Sequence, residues 1–236
     1  MTQPFDVNQL ADRVAEVRYQ IAEAAAQAGR APQEIQLCAV CKGQDAQMIK
    51  ASALLPVDLF GENRMQEMQL HLEANAFQGK PCHFIGHLQT NKVRRVVGAM
   101  DMIQSVNSLR LLNAIDREAE RQGIVQDILF EINIGEEDSK TGASQELLWP
   151  MLDAAAALTH VRVRGLMAIP PAFDNSPQSR RYFAGMYRLL EQARQRYTEH
   201  APLDTLSLGM TDSFLAAILE GATLVRVGRA IYGARA

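Results

Sequence analysis

The chain of 236 residues has 24 basic and 27 acidic side chains, and its formal charge of −3 lacks the cationic excess that neutralises nucleic-acid phosphates. Hydrophobic residues make up 47% of the sequence without any run of about 18 apolar residues, which predicts a globular core and no membrane-spanning helix. The three cysteines, Cys38, Cys41 and Cys82, lack the spacing of a disulfide framework or a zinc site, and no secretory signal is evident; we therefore expect a cytoplasmic protein.

Hydrophobic periodicity predicts helices and strands in alternation. The first segment, 6–29, has the pattern of an amphipathic helix, with Asp6 as N-cap and Gly29 at its end. Short apolar runs then predict eight strands, at 35–41, 57–60, 82–86, 101–105, 127–134, 161–169, 204–208 and 223–227. Helical patterns separate them at 45–55, 63–76, 90–98, 108–122, 144–158, 177–199 and 212–220, with Asp212 as the expected cap of the last.

Eight strands that alternate with helices form either a closed (β/α)8 barrel or an open doubly wound sheet. The strand count and the length of the chain favour the barrel, because about 250 residues is typical of that fold. An open sheet usually has a glycine-rich loop after its first strand, whereas here that strand ends in Cys41-Lys42-Gly43-Gln44. We therefore predict an α/β (β/α)8 TIM barrel formed by residues 1–236 as a single domain, with the helix 6–29 packed on it.

Lysine placement suggests where a barrel of this kind would do its chemistry. Only five lysines occur, and Lys42 alone directly follows an apolar strand, at the end of a barrel where function resides. Partial burial there would make its amine nucleophilic, although a strand-end lysine that merely reaches solvent is an equally good interpretation. Phosphates in barrels tend to bind after strands seven and eight, where the chain has Ser207, Gly209, Thr211 and Gly228. A lysine on one strand and a phosphate site on the last two is the pattern of a Schiff-base pocket for pyridoxal phosphate.

A family resemblance strengthens this interpretation. The segments that carry it follow one another in order along the chain: Ala39–Lys42, Phe60–Asn63, His83–Lys92, Asn133–Gly142, Gly165–Pro171, Ser207–Thr211 and Val225–Gly233. Together they resemble the pyridoxal phosphate homeostasis proteins of the YggS/PROSC type, with the His-Phe-Ile-Gly-His-Leu-Gln segment highly specific. The resemblance implies a barrel like the N-terminal domain of alanine racemase, without that enzyme's second domain. It also implies a protein that binds pyridoxal phosphate and acts in its homeostasis, with no established catalytic activity.

By position, the resemblance implies that Lys42 forms the internal aldimine with pyridoxal 5'-phosphate. It places Asn63 beside the cofactor ring and Arg226 at the pyridine nitrogen. The expected cofactor-binding residues are Lys42, Asn63, His83, Ser207, Gly209, Met210, Thr211, Arg226, Gly228 and Arg229, with no catalytic residue and no metal ligand. Lys92 and Lys140, near strand ends, are candidates to hold a second cofactor molecule before transfer.

Several positions depart from the pattern of the resemblance. Cys41 replaces a serine, Gly43 a threonine, Arg64 a tyrosine, Cys82 a tryptophan and Leu208 a methionine. At Arg229, where threonine is common, a hydroxyl contact to phosphate would become a charge-assisted one. Because the aldimine lysine and most phosphate residues remain, these changes bear on affinity rather than on binding itself.

The alternative function is a pyridoxal phosphate-dependent amino-acid racemase or a related weak enzyme. Such an enzyme needs an acid/base group on each relevant face of the cofactor. The five tyrosines offer no clear strand-end candidate, which argues against efficient racemisation. The expected partners are therefore the cofactor and apo-enzymes that depend on it, and the resemblance implies a monomer.

Overall fold

The computed structural model describes residues 6–135, 141–170, 176–197 and 201–233. Within these ranges eight parallel strands close into a barrel, in which each strand pairs with the next and the last pairs with the first. The strands are β1 Gln36–Val40, β2 Leu59–Glu62, β3 Cys82–Phe84, β4 Met102–Val106, β5 Gln126–Glu131, β6 Val161–Met167, β7 Thr205–Ser207 and β8 Leu224–Val227. The predicted barrel is confirmed, and the open sheet is excluded.

Helices connect successive strands. The α-helices are α1 Val7–Gln27, α2 Ala46–Ala53, α3 Met65–Glu73, α4 Leu109–Gln122, α5 Gln145–Ala156, α6 Pro177–Tyr197, α7 Phe214–Leu219 and α8 Arg229–Tyr232. Two 3₁₀ helices cover Pro32–Glu34 and Thr90–Arg95. The carboxylate of Asp6 accepts hydrogen bonds from the backbone N–H groups of Asn8 and Gln9, which confirms the predicted N-cap of α1. No helix in the described ranges is long and apolar enough to cross a membrane.

Successive side chains along each strand point to opposite faces of the sheet, which divides the core into a part outside the barrel and a part inside it. Leu37 and Ala39 of β1 belong to the main core, which also includes the buried face of α1. Cys38 and Val40, which point the other way, pack inside the barrel with residues of β2 and β8. A second inner cluster joins residues of β4, β5 and β6: Met102, Leu129 and Met167, with Ile169 against them. Helix α1 is therefore held to the barrel by the outer core.

Two predicted helices differ from the observed ones. The segment 90–98 forms a 3₁₀ helix that ends at Arg95; Val96 and Val97 are buried beyond it, and Gly98 follows with a φ of +74° that no helix accommodates. The cap expected of Asp212 is wrong: α7 begins at Phe214, and Asp212 forms an ion pair with Arg229 instead. Helix α8 was not predicted, since its four residues are too short for a periodic signal.

Gly165 in β6 provides a test of how closely the barrel is packed. Its φ is +150°, and a Cβ atom there would lie 1.8 Å from the carbonyl oxygen of Thr205 in β7. We expect Gly165→Ala to lower the free energy of unfolding by about 3 kcal/mol, because the two paired strands must separate to admit the methyl group. Urea denaturation of the variant and the wild type measures this difference.

Gly185 in α6 is the matched control. A Cβ atom there would meet only side-chain carbons of Ile134, at 3.5 Å or more. Gly185→Ala should leave stability unchanged or raise it by about 1 kcal/mol, because alanine is the better helix former. Equal destabilisation by the two substitutions would contradict the packing at β6 and β7.

Candidate functional site

The carboxyl ends of the strands form one mouth of the barrel, the end at which barrels place their functional groups. A cavity of about 310 Å³ lies there. Five residues of the predicted site line this cavity, together with Val40 and Asp212: Met210, Thr211, Arg226, Gly228 and Arg229. The structure thus brings together Arg226 of β8, the residues that follow β7 and β8, and the C-terminal end of β1. The other five predicted residues lie outside the cavity lining.

The loops after β7 and β8 are joined to each other by polar contacts. Arg229 pairs with Asp212, and both side chains are exposed. The hydroxyl of Thr211 accepts a hydrogen bond from the backbone N–H of Ala230 at 3.4 Å. Gly209 has a φ of +82°, and a Cβ atom there would lie 2.7 Å from that of Ala217 in α7. Glycine is thus required where the loop passes over α7.

The guanidinium of Arg226 lies inside the barrel, with only 4% of the residue exposed. Its Nη1 donates to the carbonyl oxygen of Ser207 at 2.8 Å and to the Ser207 hydroxyl at 2.6 Å, and its Nη2 donates to the carbonyl of Ala168 at 3.0 Å. Burial lowers the pKa of Arg226 to about 10, so the side chain remains cationic near neutral pH. The cavity thus has a buried cation at its inner end.

Ser207 is fully buried, and its hydroxyl already has two partners. Besides accepting from Arg226, the hydroxyl donates to Oε1 of Gln104 in β4 at 2.7 Å. Nε2 of Gln104 in turn lies 2.8 Å from Nδ1 of His83 in β3. The phosphate contact expected of Ser207 and the cofactor contact expected of His83 therefore remain predictions, since both side chains belong to the barrel interior.

Gln104 is a site residue that the sequence analysis missed. It is fully buried, in a strand where every residue is buried. A single amide in an apolar strand was the available signal, because a buried amide needs hydrogen-bond partners. The sequence pattern could not reveal that those partners belong to β3 and β7.

Lys42 lies in the turn after β1 and is partly buried. Within the described part of the chain, no hydrogen bond or ion pair involves its amine. The turn itself is fixed by α3, since the backbone N–H of Gly43 donates to Glu67 at 2.9 Å and the carbonyl of Gln44 accepts from Nε2 of His71 at 3.0 Å. The amine is therefore available, on a backbone that is held in place.

A buried carboxyl group stands behind this turn. Oε1 of Glu62, at the end of β2, lies 2.6 Å from Nδ1 of His71, and Glu62 is fully buried. Burial raises the pKa of Glu62 to about 7. Because the carbonyl of Gln44 can only accept, Nε2 of His71 must carry a hydrogen, and the second proton of the pair lies between Glu62 and Nδ1. The Glu62–His71 pair thus supports the backbone next to Lys42.

Asn63 borders a second cavity of about 220 Å³, which also includes Arg64, His87 and Lys92 in its lining. Its Oδ1 atom is buried and has no hydrogen-bond partner in the described residues. The backbone packs tightly here, since a Cβ atom on Gly86 would lie 2.1 Å from the carbonyl oxygen of Asn63. An orphaned acceptor at the barrel mouth is a feature that a ligand could satisfy. Lys140, the other candidate for a second cofactor molecule, lies outside the described residues.

The cysteines are buried free thiols. Burial raises the pKa of Cys38 to about 12 and that of Cys41 and Cys82 well above the usual range. None of the three is therefore a thiolate near neutral pH. Across the described ranges, no group of three or more His, Cys, Asp or Glu side chains could hold a metal ion.

Comparison with known proteins gives consistent matches over nearly the full chain. The family model of the alanine racemase N-terminal domain matches residues 13–236. The chain is 37% identical to the pyridoxal phosphate homeostasis protein of Escherichia coli strain K12 over 239 residues, which covers 97% of this chain and 98% of that protein. PipY of Synechococcus elongatus, solved with PLP bound, has a TM-score of 0.82 and 30% identity, over 95% of this chain and all of the other.

Alanine racemase of Clostridium difficile shares the fold alone. Its complex with cycloserine superposes with a TM-score of 0.72 at 16% identity. The match covers 95% of this chain and 60% of the racemase.

The pH dependence of stability tests the burial of His83. Burial lowers the pKa of this imidazole from about 6.5 to about 4. As the pH falls below 6.5, the unfolded chain takes up a proton at this residue that the native state does not bind, so stability is lost down to about pH 4. Between pH 7 and pH 5 this loss is about 2 kcal/mol, and it should be absent in His83→Gln.

Urea denaturation of the wild type and the variant at both pH values measures the difference between their pH dependences. His87→Gln, which removes an exposed imidazole, is the control. A pH dependence in His83→Gln equal to that of the wild type would show that His83 is not buried in neutral form.

Proposed function

Because the chain belongs to the pyridoxal phosphate homeostasis protein family, we propose that it binds pyridoxal 5'-phosphate at the barrel mouth, holds it as a Schiff base on Lys42 and buffers or supplies it in the cell. The observation that carries the proposal is the position of Lys42. Lys42 is partly buried and follows Val40 by two positions, and Val40 lines a cavity that contains two arginines. The cofactor is known for PipY, whose structure was solved with PLP bound.

The chemistry of the cavity residues fits the three functional parts of pyridoxal phosphate. The phosphate is an anion, for which Arg229 offers charge and Thr211 a hydroxyl hydrogen. The ring nitrogen is an acceptor, and Arg226 has donors in the same cavity. The orphaned Oδ1 of Asn63 gives the barrel mouth one more group that a ligand could satisfy.

Lys42 is the amine proposed to hold the cofactor covalently. Pyridoxal phosphate supplies an aldehyde, and when a lysine amine adds to it a C=N bond replaces the C=O bond and water leaves. The amine needs no prior release from an ion pair, since it has no partner in the described ranges. Glu67 and His71 fix the two residues that follow Lys42, Gly43 and Gln44, so that the side chain starts from a defined position.

Arg226 fits the role of a carrier, but it does not by itself exclude an amino-acid enzyme. A permanent cation beside the ring nitrogen opposes protonation of that nitrogen and so weakens the electron sink on which amino-acid chemistry depends. The competing racemase function would also need an acid/base group near the cofactor. Among the residues that the structure describes, no tyrosine lines the 310 Å³ cavity, and the hydroxyl of the buried Tyr232 is hydrogen-bonded to that of Ser52 at 3.0 Å.

The remaining parts of the proposal concern the cellular role. We propose that residues 1–236 act as one cofactor-binding unit, a monomer located in the cytoplasm. Apo-enzymes that require pyridoxal phosphate are its proposed recipients. The names of the relatives, which refer to homeostasis of the cofactor and not to a reaction, support this role.

Substitution of Lys42 tests the covalent site. Wild-type protein mixed with pyridoxal phosphate should show the absorbance of a Schiff base, and borohydride reduction followed by peptide mapping should locate the label on Lys42. Lys42→Ala should lose this absorbance and the label, because no other amine occupies that position. Lys50→Ala, in α2, is the control and should behave like the wild type. Label spread over Lys50, Lys80 and Lys92 would refute the site.

A supply assay tests the proposed role. Loaded wild-type protein should restore the activity of an apo-enzyme that requires pyridoxal phosphate, and should do so more slowly than an equal amount of free cofactor, because the Schiff base must first hydrolyse. Lys42→Ala incubated with cofactor should match the rate with free cofactor. Rapid turnover of L-alanine to D-alanine by the loaded wild type would instead favour the racemase.

A further inference from the structure

A chain of four buried polar side chains crosses the interior of the barrel. It runs from Arg226 in β8 to Ser207 in β7, then to Gln104 in β4 and His83 in β3, with successive distances of 2.6, 2.7 and 2.8 Å. None of the four residues is more than 6% exposed. Because these hydrogen bonds are buried, no water molecule can replace a partner, and their geometry is therefore defined.

The direction of each hydrogen bond in this chain follows from Arg226. A guanidinium can only donate, so the Ser207 oxygen is an acceptor toward it and is left with one hydrogen to give. That hydrogen goes to Oε1 of Gln104, and the amide group of Gln104 then donates to Nδ1 of His83. The imidazole must therefore be neutral with its hydrogen on Nε2. Burial, which lowers the pKa of His83 to about 4, favours the same state.

Arg226 has donors left over after these contacts. Three hydrogen bonds are formed by its two Nη atoms, to Ser207 and Ala168, whereas a guanidinium has five N–H groups. The side chain also lines the 310 Å³ cavity. A ligand in that cavity can thus meet a charged donor whose position is set by the contacts behind it.

We propose that Gln104 is the positioning residue for Arg226: by accepting the Ser207 hydroxyl, it orients this oxygen toward the guanidinium and so fixes the cation at the wall of the cavity. The proposal rests on the proposed function, in which Arg226 faces the cofactor ring. Gln104 does not line the cavity and acts only through Ser207. Its substitution should therefore change how the ring end of pyridoxal phosphate is held, without removing any contact to the ligand.

Two substitutions separate the acceptor of Gln104 from its donor. Gln104→Met keeps the length of the side chain and removes both hydrogen bonds. Gln104→Glu keeps an acceptor for Ser207, and its ionised carboxylate turns the bond to His83 around, so that Nδ1 must then carry a hydrogen. Gln126→Met is the matched control, because Gln126 in β5 is equally buried but bonds only to backbone atoms, among them Gly98 and Met100.

We expect Gln104→Met to weaken the binding of pyridoxal phosphate about tenfold, since a hydrogen bond that supports a charged group is lost. The pH midpoint of the bound cofactor's absorbance should also rise, by about 0.5 to 1 pH unit, because a displaced cation opposes protonation less. Gln104→Glu should restore most of the affinity, and Gln126→Met should leave affinity and midpoint unchanged. A purely structural role of Gln104 would lower the stability of Gln104→Met without moving the midpoint, and this outcome would overturn the proposal.

The apoprotein gives an independent measurement of the same hydrogen bonds. Nitrogen NMR of the His83 imidazole in the wild type should show the neutral form with its hydrogen on Nε2 between pH 6 and pH 8. In Gln104→Glu the hydrogen should appear on Nδ1. A hydrogen on Nδ1 in the wild type would reverse the direction of the chain and overturn the proposal, whether or not cofactor is present.

Failure of the proposal is distinguishable from failure of the proposed function. If the wild type forms no complex with pyridoxal phosphate, the proposed function is wrong and the positioning role falls with it. If the wild type binds the cofactor and Gln104→Met binds it with equal affinity and an unchanged midpoint, only the positioning role is overturned. If Gln104→Met does not fold, Gln104→Glu is compared with the wild type instead. An unchanged His83 tautomer in Gln104→Glu would then overturn the positioning role.

Discussion

The burial of one positive charge inside the barrel organises much of its interior. A guanidinium removed from water must be surrounded by acceptors, and Arg226 has them at the carbonyl of Ala168, directly after β6, and at Ser207 in β7. Those acceptors in turn require polar partners, which brings Gln104 and His83 into positions where most barrels of this type have aliphatic side chains. The inner core is therefore two separate apolar clusters, one on β1, β2 and β8 and one on β4 to β6.

Arg226 also stabilises the contact between β7 and β8, which share few paired residues. The ladder between β7 and β8 has a single paired position, Ser207 with Leu224, whereas β5 and β6 share six. Arg226 adds a side-chain contact to the Ser207 carbonyl, and its backbone N–H donates to Gly209 at 3.1 Å. The loops that form the outer part of the cavity thus depend on a side chain at its inner end.

The sequence revealed the repeated units of the fold better than the contacts between them. Strand periodicity and chain order are local properties, so the barrel and the place of Lys42 at the end of β1 could be predicted. Long-range partners arise only when the barrel closes. For this reason the pattern suggested a cap role for Asp212, which the structure pairs with Arg229, and it could not reveal the contact between Ser207 and Gln104. The contacts by which Glu62 and His71 support the Lys42 turn join three separate segments of the chain, so the local spacing of residues could not predict them.

The burial of the thiols bears on chemoselectivity. Cys41 is the neighbour of Lys42 in sequence, yet Cys41 is fully buried and its thiol is protonated, while Lys42 is partly exposed. An electrophile that enters the barrel mouth consequently meets nitrogen rather than sulfur, although sulfur is the softer and intrinsically faster nucleophile. The same arrangement makes the three cysteines silent toward alkylating reagents in the native protein, so that their modification reports unfolding rather than ligand binding.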